Sequence, residues 1–294
     1  MQPELLAPAS IDLFERDGYV VIRQACPPAL RQKIEARVRC ELAALRDPVE
    51  YEADVGYPGS PPTREAPGGA TPRRLLEACA RDPLLAAWAT SPTIAAPLYR
   101  ILTATRASSS AAQSAPTVAA AADAPAAATA GATAEIRLSQ SHHNCVMTKH
   151  PGFSSETQWH QDIRYWSFAR PELVSAWLAL TPETPENGAL QIVPGSHRLE
   201  FARARFDEAI FFRPELPENA ALIARAEPVT LAPGDLVLFH CRALHAAGRN
   251  TTPDVKLSCV FTYHGVDNPP TPGTRSARLP SLPLPRPDAD PPAL

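Results

Sequence analysis

The chain has 294 residues, enough to bury one substantial core, and a single all-β or mixed domain of this size is ordinary. Its 28 lysines and arginines nearly balance its 31 aspartates and glutamates, and no basic stripe accompanies the net charge of -3, which argues against a nucleic-acid-binding protein. The six cysteines are scattered without a CxxC pair, so the sequence predicts neither a disulfide framework nor a structural zinc site.

The N-terminus and the longest apolar stretch bear on localisation. The first residues, MQPELLAPASIDLFERDGY, lack the basic and apolar regions of a secretion signal. Residues 115–134 are rich in alanine, but Pro116, Asp123 and Pro125 interrupt them, so they are too weakly hydrophobic to span a bilayer. We therefore expect a cytoplasmic protein that acts on a small molecule, without a membrane or nucleic-acid partner; the oligomeric state is left open.

The first hundred residues predict mainly helices around one short strand, YVVI. Residues 28–46 place apolar side chains at helical spacing, with charged residues between them. Three further helices are predicted where a capping residue precedes proline, because the N–H that proline lacks has no partner at a helix start. These starts are Thr71-Pro72, Asp82-Pro83 and Ser91-Pro92.

Residues 105–134 differ from everything around them. They are mostly alanine, serine and threonine, with almost no side chain large enough to pack. We interpret them as a low-complexity, disordered insertion within a folded domain. An alanine-rich helix is the competing interpretation.

From residue 135 onward the sequence predicts short strands separated by Pro, Gly and Asn turns. The runs are EIRLSQSHHNCVMTK, LVSAWLALT, ALQIV, EPVTL, DLVLFH and VKLSCVFTYH. With no helices predicted between them, they favour a β-sandwich or barrel over a parallel α/β sheet. The predicted fold is mainly β with flanking helices and a helical N-terminal layer, in one domain over residues 1–264 followed by a proline-rich tail over 265–294.

The segment TQWHQDIRYW carries the clearest chemical signal. Residues two apart in a strand face the same side, so His160 and Asp162 are expected to point together into a barrel. Such a pair with a histidine from another strand forms the facial triad of non-haem iron(II) enzymes. His245 is the expected third ligand, followed eleven residues later by Lys256; His240, at the end of DLVLFH, is the competing candidate.

Several motifs in the same order resemble the phytanoyl-CoA dioxygenase family. They are WHQD…YW, NGAL…VPGSH at 187–197, APGDLVLFH…H…N at 232–250 and the N-terminal FERDGYVVIRQACPP. The resemblance covers roughly residues 11–264 apart from 105–134. It implies a double-stranded β-helix (a cupin-like jelly roll), Fe(II) bound by His160, Asp162 and His245, and 2-oxoglutarate and O2 as cosubstrates.

The resemblance also implies where 2-oxoglutarate binds. Its far carboxylate is expected to meet Lys256, where the family usually has arginine, by a point-charge pairing rather than a bidentate fork. Ser258 shares the face of Lys256 and is expected to add a hydroxyl hydrogen bond. Trp177 and Lys149 match family positions near the cosubstrate, with core packing and a solvated lysine as the competing interpretations.

The family resemblance further suggests the type of reaction. Halide-transferring relatives lack the metal-binding carboxylate, so Asp162 favours hydroxylation or a related oxidation, with release of succinate and CO2. Two alternatives come from other classes: an inactive β-helix that binds or senses a ligand, and a cupin-like metal-dependent isomerase or hydrolase. The latter usually has several histidines around its metal.

Neighbours of the triad are candidates for the pocket wall. His142 and His143 are adjacent, and neighbouring residues of a regular strand face opposite sides, so both cannot point at one metal; one of them, or Asn144, is expected to line the pocket. Arg164, Tyr165 and Trp166 directly follow the metal motif and are candidates for the substrate mouth.

Overall fold

The computed structural model describes residues 8–113 and 135–287, which form a β core with helices packed against one sheet. The strands are β1 (Tyr19–Ile22), β2 (Val49–Tyr51), β3 (Pro72–Leu76), β4 (Ile136–Lys149), β5 (Thr157–His160), β6 (Leu173–Ala179), β7 (Leu190–Ile192), β8 (Glu227–Pro228), β9 (Leu236–His240), β10 (His245–Ala247), β11 (Lys256–Gly265) and β12 (Leu282–Pro283). The helices are α1 (Pro8–Asp17), α2 (Pro28–Ala44), α3 (Ala78–Arg81), α4 (Pro83–Ala89), α5 (Pro92–Gln113) and α6 (Pro217–Ile223).

The strands form two antiparallel sheets. The larger has the order β1-β9-β6-β11-β4-β3-β2, with β12 paired to β4, and the smaller has the order β5-β10-β7-β8. Strands that are distant in sequence lie side by side in both sheets, as the closure of a jelly roll requires. The prediction of a mainly β protein built on a double-stranded β-helix is confirmed.

The central strands of the large sheet are buried on both faces. On β6, Ala176 and Leu178 pack with the helices, whereas Trp177 and Ala179 pack in the cluster between the sheets. β11 alternates in the same way, since Cys259 and Phe261 belong to the helix-covered cluster and Val260 to the inner one. The even-numbered residues of β11 therefore face the barrel interior.

The N-terminal helices follow the prediction with one exception, and β2 and β3 add two strands to the single strand predicted there. α2 covers the predicted helical stretch, and α4 begins after Asp82, whose side chain accepts a hydrogen bond from the Leu84 N–H at 2.8 Å. Thr71-Pro72 does not start a helix: Pro72 begins β3, which pairs with β2 and β4. Proline is also tolerated at the first residue of a strand, so this signal was ambiguous.

Two other segments bear on the predicted domain limits. Residues 105–113 continue α5, which favours the helical interpretation for that part of the alanine-rich insertion, and residues 114–134 lie outside the described residues. The segment after residue 264 returns to the core, because β12 pairs with β4 and Leu284 is buried in the helix-covered cluster. Within 8–113 and 135–287, no helix is long and apolar enough to cross a membrane.

Candidate metal centre

Two paired strands of the small sheet bring the predicted ligands together. His160 is the last residue of β5 and His245 the first of β10, and the two are direct partners in the antiparallel register. Asp162 lies just past the end of β5, at the start of a short 3-10 turn, rather than within the strand. His245, not His240, completes the set.

The three ligand groups lie close together, and all are buried. Their ligand atoms lie within 4.8 Å of one another, with His160 Nε2 3.4 Å and His245 Nε2 3.6 Å from Asp162 Oδ1. The other ring nitrogens are held by backbone carbonyls: His160 Nδ1 lies 2.8 Å from Gln158 O and His245 Nδ1 2.9 Å from Ala243 O. A proton on each Nδ1 leaves the Nε2 lone pairs directed at the centre, as metal ligation requires.

The electrostatics of the cluster suit a cation. Burial, together with the neighbouring His160, lowers the pKa of His245 to about 4, so its ring is neutral at physiological pH. Burial alone would raise the pKa of Asp162, but His143 and His245 bring it below its usual range. Asp162 Oδ1 is buried and has no hydrogen-bond partner among the described residues. Since a buried carboxylate oxygen without a donor is costly, these residues fit a divalent metal ion.

The second oxygen of Asp162 has its own support. Ser175 Oγ lies 3.4 Å and His143 Nδ1 3.3 Å from Asp162 Oδ2, and Ser175 Oγ lies 2.9 Å from Thr262 Oγ1. Sequence reasoning missed Ser175 and Thr262. Ser175 gave one signal, as a polar residue within the otherwise apolar strand β6, whereas Thr262 lies in β11 beside other polar residues and gave none.

A bulge in β4 changes the expected placement of the adjacent histidines. Phe261 pairs with Asn144 but Thr262 pairs with Ser139, so the residues between bulge out, and His142 has a φ of 57°. The rings of both His142 and His143 therefore lie against Trp166, at 4.7 and 6.0 Å between centroids. The expectation that they face opposite sides is wrong, because it assumed a regular strand.

His240 lies outside the metal cluster. Its ring packs near Phe14 and His197, with centroids 6.4 and 5.4 Å away, and its Nδ1 accepts the Arg242 N–H at 3.0 Å. The ring of His240 therefore packs away from the metal cluster.

Three of the predicted cosubstrate residues converge on a carboxylate within the chain. Lys256 Nζ donates to Glu183 Oε2 at 2.9 Å, and Ser258 Oγ and Trp177 Nε1 donate to Glu183 Oε1 at 2.6 and 2.7 Å. All four side chains are buried. Lys256 therefore already has a charged partner, which sequence reasoning did not anticipate.

Lys149 lies opposite Lys256 in the β4–β11 register but has different surroundings. Its ammonium donates hydrogen bonds to the carbonyls of Ser155 and Gly248. No carboxylate of residues 8–113 or 135–287 accepts a hydrogen bond from it. Burial, and then the charges of Arg73 and Lys256, hold its pKa well below the usual range. It is a buried residue rather than a solvated lysine.

Aromatic side chains pack around His160. Tyr165 and Phe211 lie 5.7 and 6.0 Å from the ring of His160, and Tyr57 Oη lies 3.2 Å from Tyr165 Oη. Arg164 stacks over Phe211 at 3.7 Å, so Arg164 and Tyr165 lie in this aromatic group together with Phe211 and Tyr57, which sequence reasoning missed. A cavity of about 270 Å³ is lined by Gln161, Ile163, Arg164, Phe201, Arg203, Phe206 and Ile210.

The fold and this centre define the class: a double-stranded β-helix with a buried set of two histidines and one carboxylate. The model of the family described as Phytanoyl-CoA dioxygenase (PhyH) matches residues 14–258. The chain belongs to this family, which confirms the resemblance seen in the sequence.

The curated relatives are named as dioxygenases. Ectoine dioxygenase from Halomonas elongata is 32% identical over 143 residues, covering 43% of this chain and 43% of the relative. Phytanoyl-CoA dioxygenase 1 from Oryza sativa subsp. japonica is 30% identical over 105 residues, covering 36% of this chain and 37% of the relative. The chain thus spans less than half the length of these relatives.

Solved structures share the fold at low sequence identity. EctD from S. alaskensis with 2-oxoglutarate and 5-hydroxyectoine has a TM-score of 0.68 at 20% identity, covering 92% of this chain and 80% of that chain. The epimerase SnoN in complex with Fe3+, alpha ketoglutarate and nogalamycin RO has a TM-score of 0.65 at 22% identity, covering 94% of each.

Proposed function

We propose that the chain is an Fe(II)- and 2-oxoglutarate-dependent dioxygenase that oxidises a small organic substrate. The observation that carries the proposal is the buried cluster of His160, Asp162 and His245, with an unpartnered carboxylate oxygen at its centre. Family membership and the named relatives support the choice of iron and 2-oxoglutarate.

His160, Asp162 and His245 would hold the iron on one face and leave positions open for other ligands. The bound metal supplies oxidation of a C–H bond by O2, coupled to conversion of 2-oxoglutarate to succinate and CO2. The backbone carbonyls of Gln158 and Ala243 fix the imidazole tautomers, and the inner cluster of apolar side chains excludes water.

The substrate would enter beside the aromatic side chains of Tyr165 and Phe211. The cavity lined by Arg164 approaches the size of a site for a small organic molecule, and its wall combines Phe201 and Phe206 with Arg164 and Arg203. Arg164 also stacks over Phe211, whose ring packs near His160, and this link supports a substrate held on that side of the metal cluster. The wall supports a small molecule with an apolar body rather than a macromolecule.

Two alternatives are less well supported. An inactive binding module has no need for a buried carboxylate oxygen that lacks a donor, as Asp162 Oδ1 does among the described residues. A cupin-like isomerase or hydrolase would usually have several histidines around its metal, whereas this cluster has two histidines and a carboxylate.

The test is conversion of 2-oxoglutarate to succinate by the purified protein with Fe(II) and O2, together with anaerobic binding followed by a visible charge-transfer band. Asp162→Ala should abolish turnover, because it removes the only carboxylate ligand of the cluster. Asp235→Ala is the matched control, since Asp235 is an equally buried aspartate that is paired with Arg23 instead. Full turnover by the Asp162→Ala protein, or neither turnover nor binding by the wild type, would refute the proposed function.

A further inference from the structure

A complete carboxylate-binding site lies on the inner face of the large sheet, and Glu183 fills it. Both carboxylate oxygens of Glu183 have donors: an ammonium from Lys256, a hydroxyl from Ser258 and an indole N–H from Trp177. The Lys256 ammonium also lies 5.1 Å from the Trp177 ring centroid. A cation and two further donors directed at one point are the usual means of binding a carboxylate in a buried pocket.

This site lies on the same strand faces as the groups behind the metal ligands. Trp177 follows Ser175 by two residues on β6, and Ser258 precedes Thr262 by four on β11, so each pair shares a face. Ser175 contacts Asp162, and two residues of a strand span about 7 Å. A molecule held at the metal and extended along these strands therefore approaches Lys256 and Ser258.

The backbone holds Glu183 in this position. Its N–H donates to Leu231 O at 2.9 Å, and its carbonyl accepts from the Leu231 N–H at 3.0 Å. Glu183 is 0% exposed, whereas Glu186, three residues further along the same connection, is exposed. The backbone pairing turns one carboxylate of this segment into the barrel, where it neutralises Lys256.

We propose that Glu183 is an internal occupant of the subsite for the distal carboxylate of the 2-oxo acid. The inference rests on the proposed function, because it requires a 2-oxo acid at the metal. A second carboxylate finds the Lys256 ammonium already paired and meets the charge of Glu183, and like charges in a buried site repel. The distal carboxylate therefore gives 2-oxoglutarate no advantage over a 2-oxo acid without one.

The first experiment compares two ligands of equal chain length. Fe(II)-loaded protein is titrated anaerobically with 2-oxoglutarate and with 2-oxopentanoate, which lacks the far carboxylate, while the charge-transfer band is recorded. In the wild type the two dissociation constants should agree within about threefold. In Glu183→Ala, 2-oxoglutarate should bind at least about tenfold more tightly than 2-oxopentanoate, because Lys256 and Ser258 then take its carboxylate by charge-assisted hydrogen bonds.

The outcomes separate this inference from the proposed function. A wild type that prefers 2-oxoglutarate by tenfold or more overturns the inference and leaves the function intact, with Lys149 as the next anchor to test. A Glu183→Ala protein without a preference for 2-oxoglutarate overturns it as well. If neither 2-oxo acid binds to the iron-loaded wild type, the proposed function itself fails.

Thermal unfolding of the metal-loaded proteins gives a second readout. Glu183→Ala leaves Lys256 buried without a counter-charge, so its midpoint should fall, and 2-oxoglutarate should restore it more than 2-oxopentanoate does. Glu52→Ala is the matched control, because Glu52 is an equally buried carboxylate paired with Arg73, and the two ligands should affect it alike.

If Glu183→Ala does not fold, Glu183→Gln provides the same comparison. Its amide oxygen keeps an acceptor for Ser258 and Trp177 while removing the charge opposite Lys256. Identical ligand responses of the Glu183 and Glu52 variants would show that Glu183 is only a structural counter-ion, and would overturn the inference.

Discussion

The two oxygens of Asp162 have different surroundings. Oδ1 faces the two Nε2 atoms and has no donor among the described residues, whereas Oδ2 lies near Ser175 and His143. This asymmetry keeps one oxygen available for the metal and holds the carboxylate plane through the other.

Removing the Ser175 hydroxyl should therefore weaken metal binding without removing a ligand. Ser175→Ala is expected to lower Fe(II) affinity by about tenfold or more, the lower end of effects seen for outer-shell partners. The measurement is an anaerobic metal titration, with Ser154→Ala as control because the Ser154 hydroxyl accepts from the Asn250 N–H instead. Unchanged affinity in Ser175→Ala would show that Asp162 is oriented by other groups.

Lys256 also affects the stability of the fold. Lys256→Ala leaves Glu183 as an unpaired buried charge, and breaking a buried pair in this way costs about 3–5 kcal/mol. Glu135→Ala is the contrasting variant: Glu135 and its partner Arg137 are 34% and 36% exposed, so a loss of about 0–1 kcal/mol, typical of exposed pairs, is expected. Denaturant unfolding measures both, and equal losses would show that burial of the Lys256–Glu183 pair adds nothing.

At the scale of elements, the limits of sequence prediction follow from irregular backbone. The sequence allowed His160 and His245 to be predicted as members of one cluster, because each belongs to a short motif with a fixed spacing between its residues. The inward turn of Glu183 was not, because the connection TPETPENG is polar throughout and only the pairing with Leu231 distinguishes Glu183 from Glu186. The β4 bulge at His142 was missed for the same reason, since strand periodicity assumes that no residue is inserted.

The segment after residue 264 contributes to the core through β12. Leu284 is 4% exposed within the helix-covered cluster, so Leu284→Ala should lower the free energy of unfolding by about 2–4 kcal/mol. Leu199→Ala should change it by less than about 0.5 kcal/mol, because Leu199 is 40% exposed. A small effect of Leu284→Ala would support the predicted boundary at residue 264, with a tail that is dispensable for folding.

At the scale of the whole molecule, four histidines remain neutral because they are enclosed. Burial is the largest cause in each case: it lowers the pKa of His142 and His240 to about 3 and that of His197 and His245 to about 4, from an ordinary value of 6.5. Nearby positive charges on Arg198, Arg242 and Arg275 act in the same direction. These rings therefore stay neutral and can accept hydrogen bonds or bind a metal. In mildly acidic solution the folded chain binds fewer protons than the unfolded chain.

The metal-free protein should accordingly lose stability as the pH falls below about 6.5, and little should change between pH 7 and 8. Between pH 6.5 and 4 the unfolded chain takes up protons that the folded chain excludes, so each such histidine costs up to about 1.4 kcal/mol per pH unit. Thermal unfolding in the presence of a chelator measures the dependence. His240→Gln should make it shallower by removing one titrating group, and a midpoint that stays constant from pH 7 to 5 would contradict the enclosure of these rings.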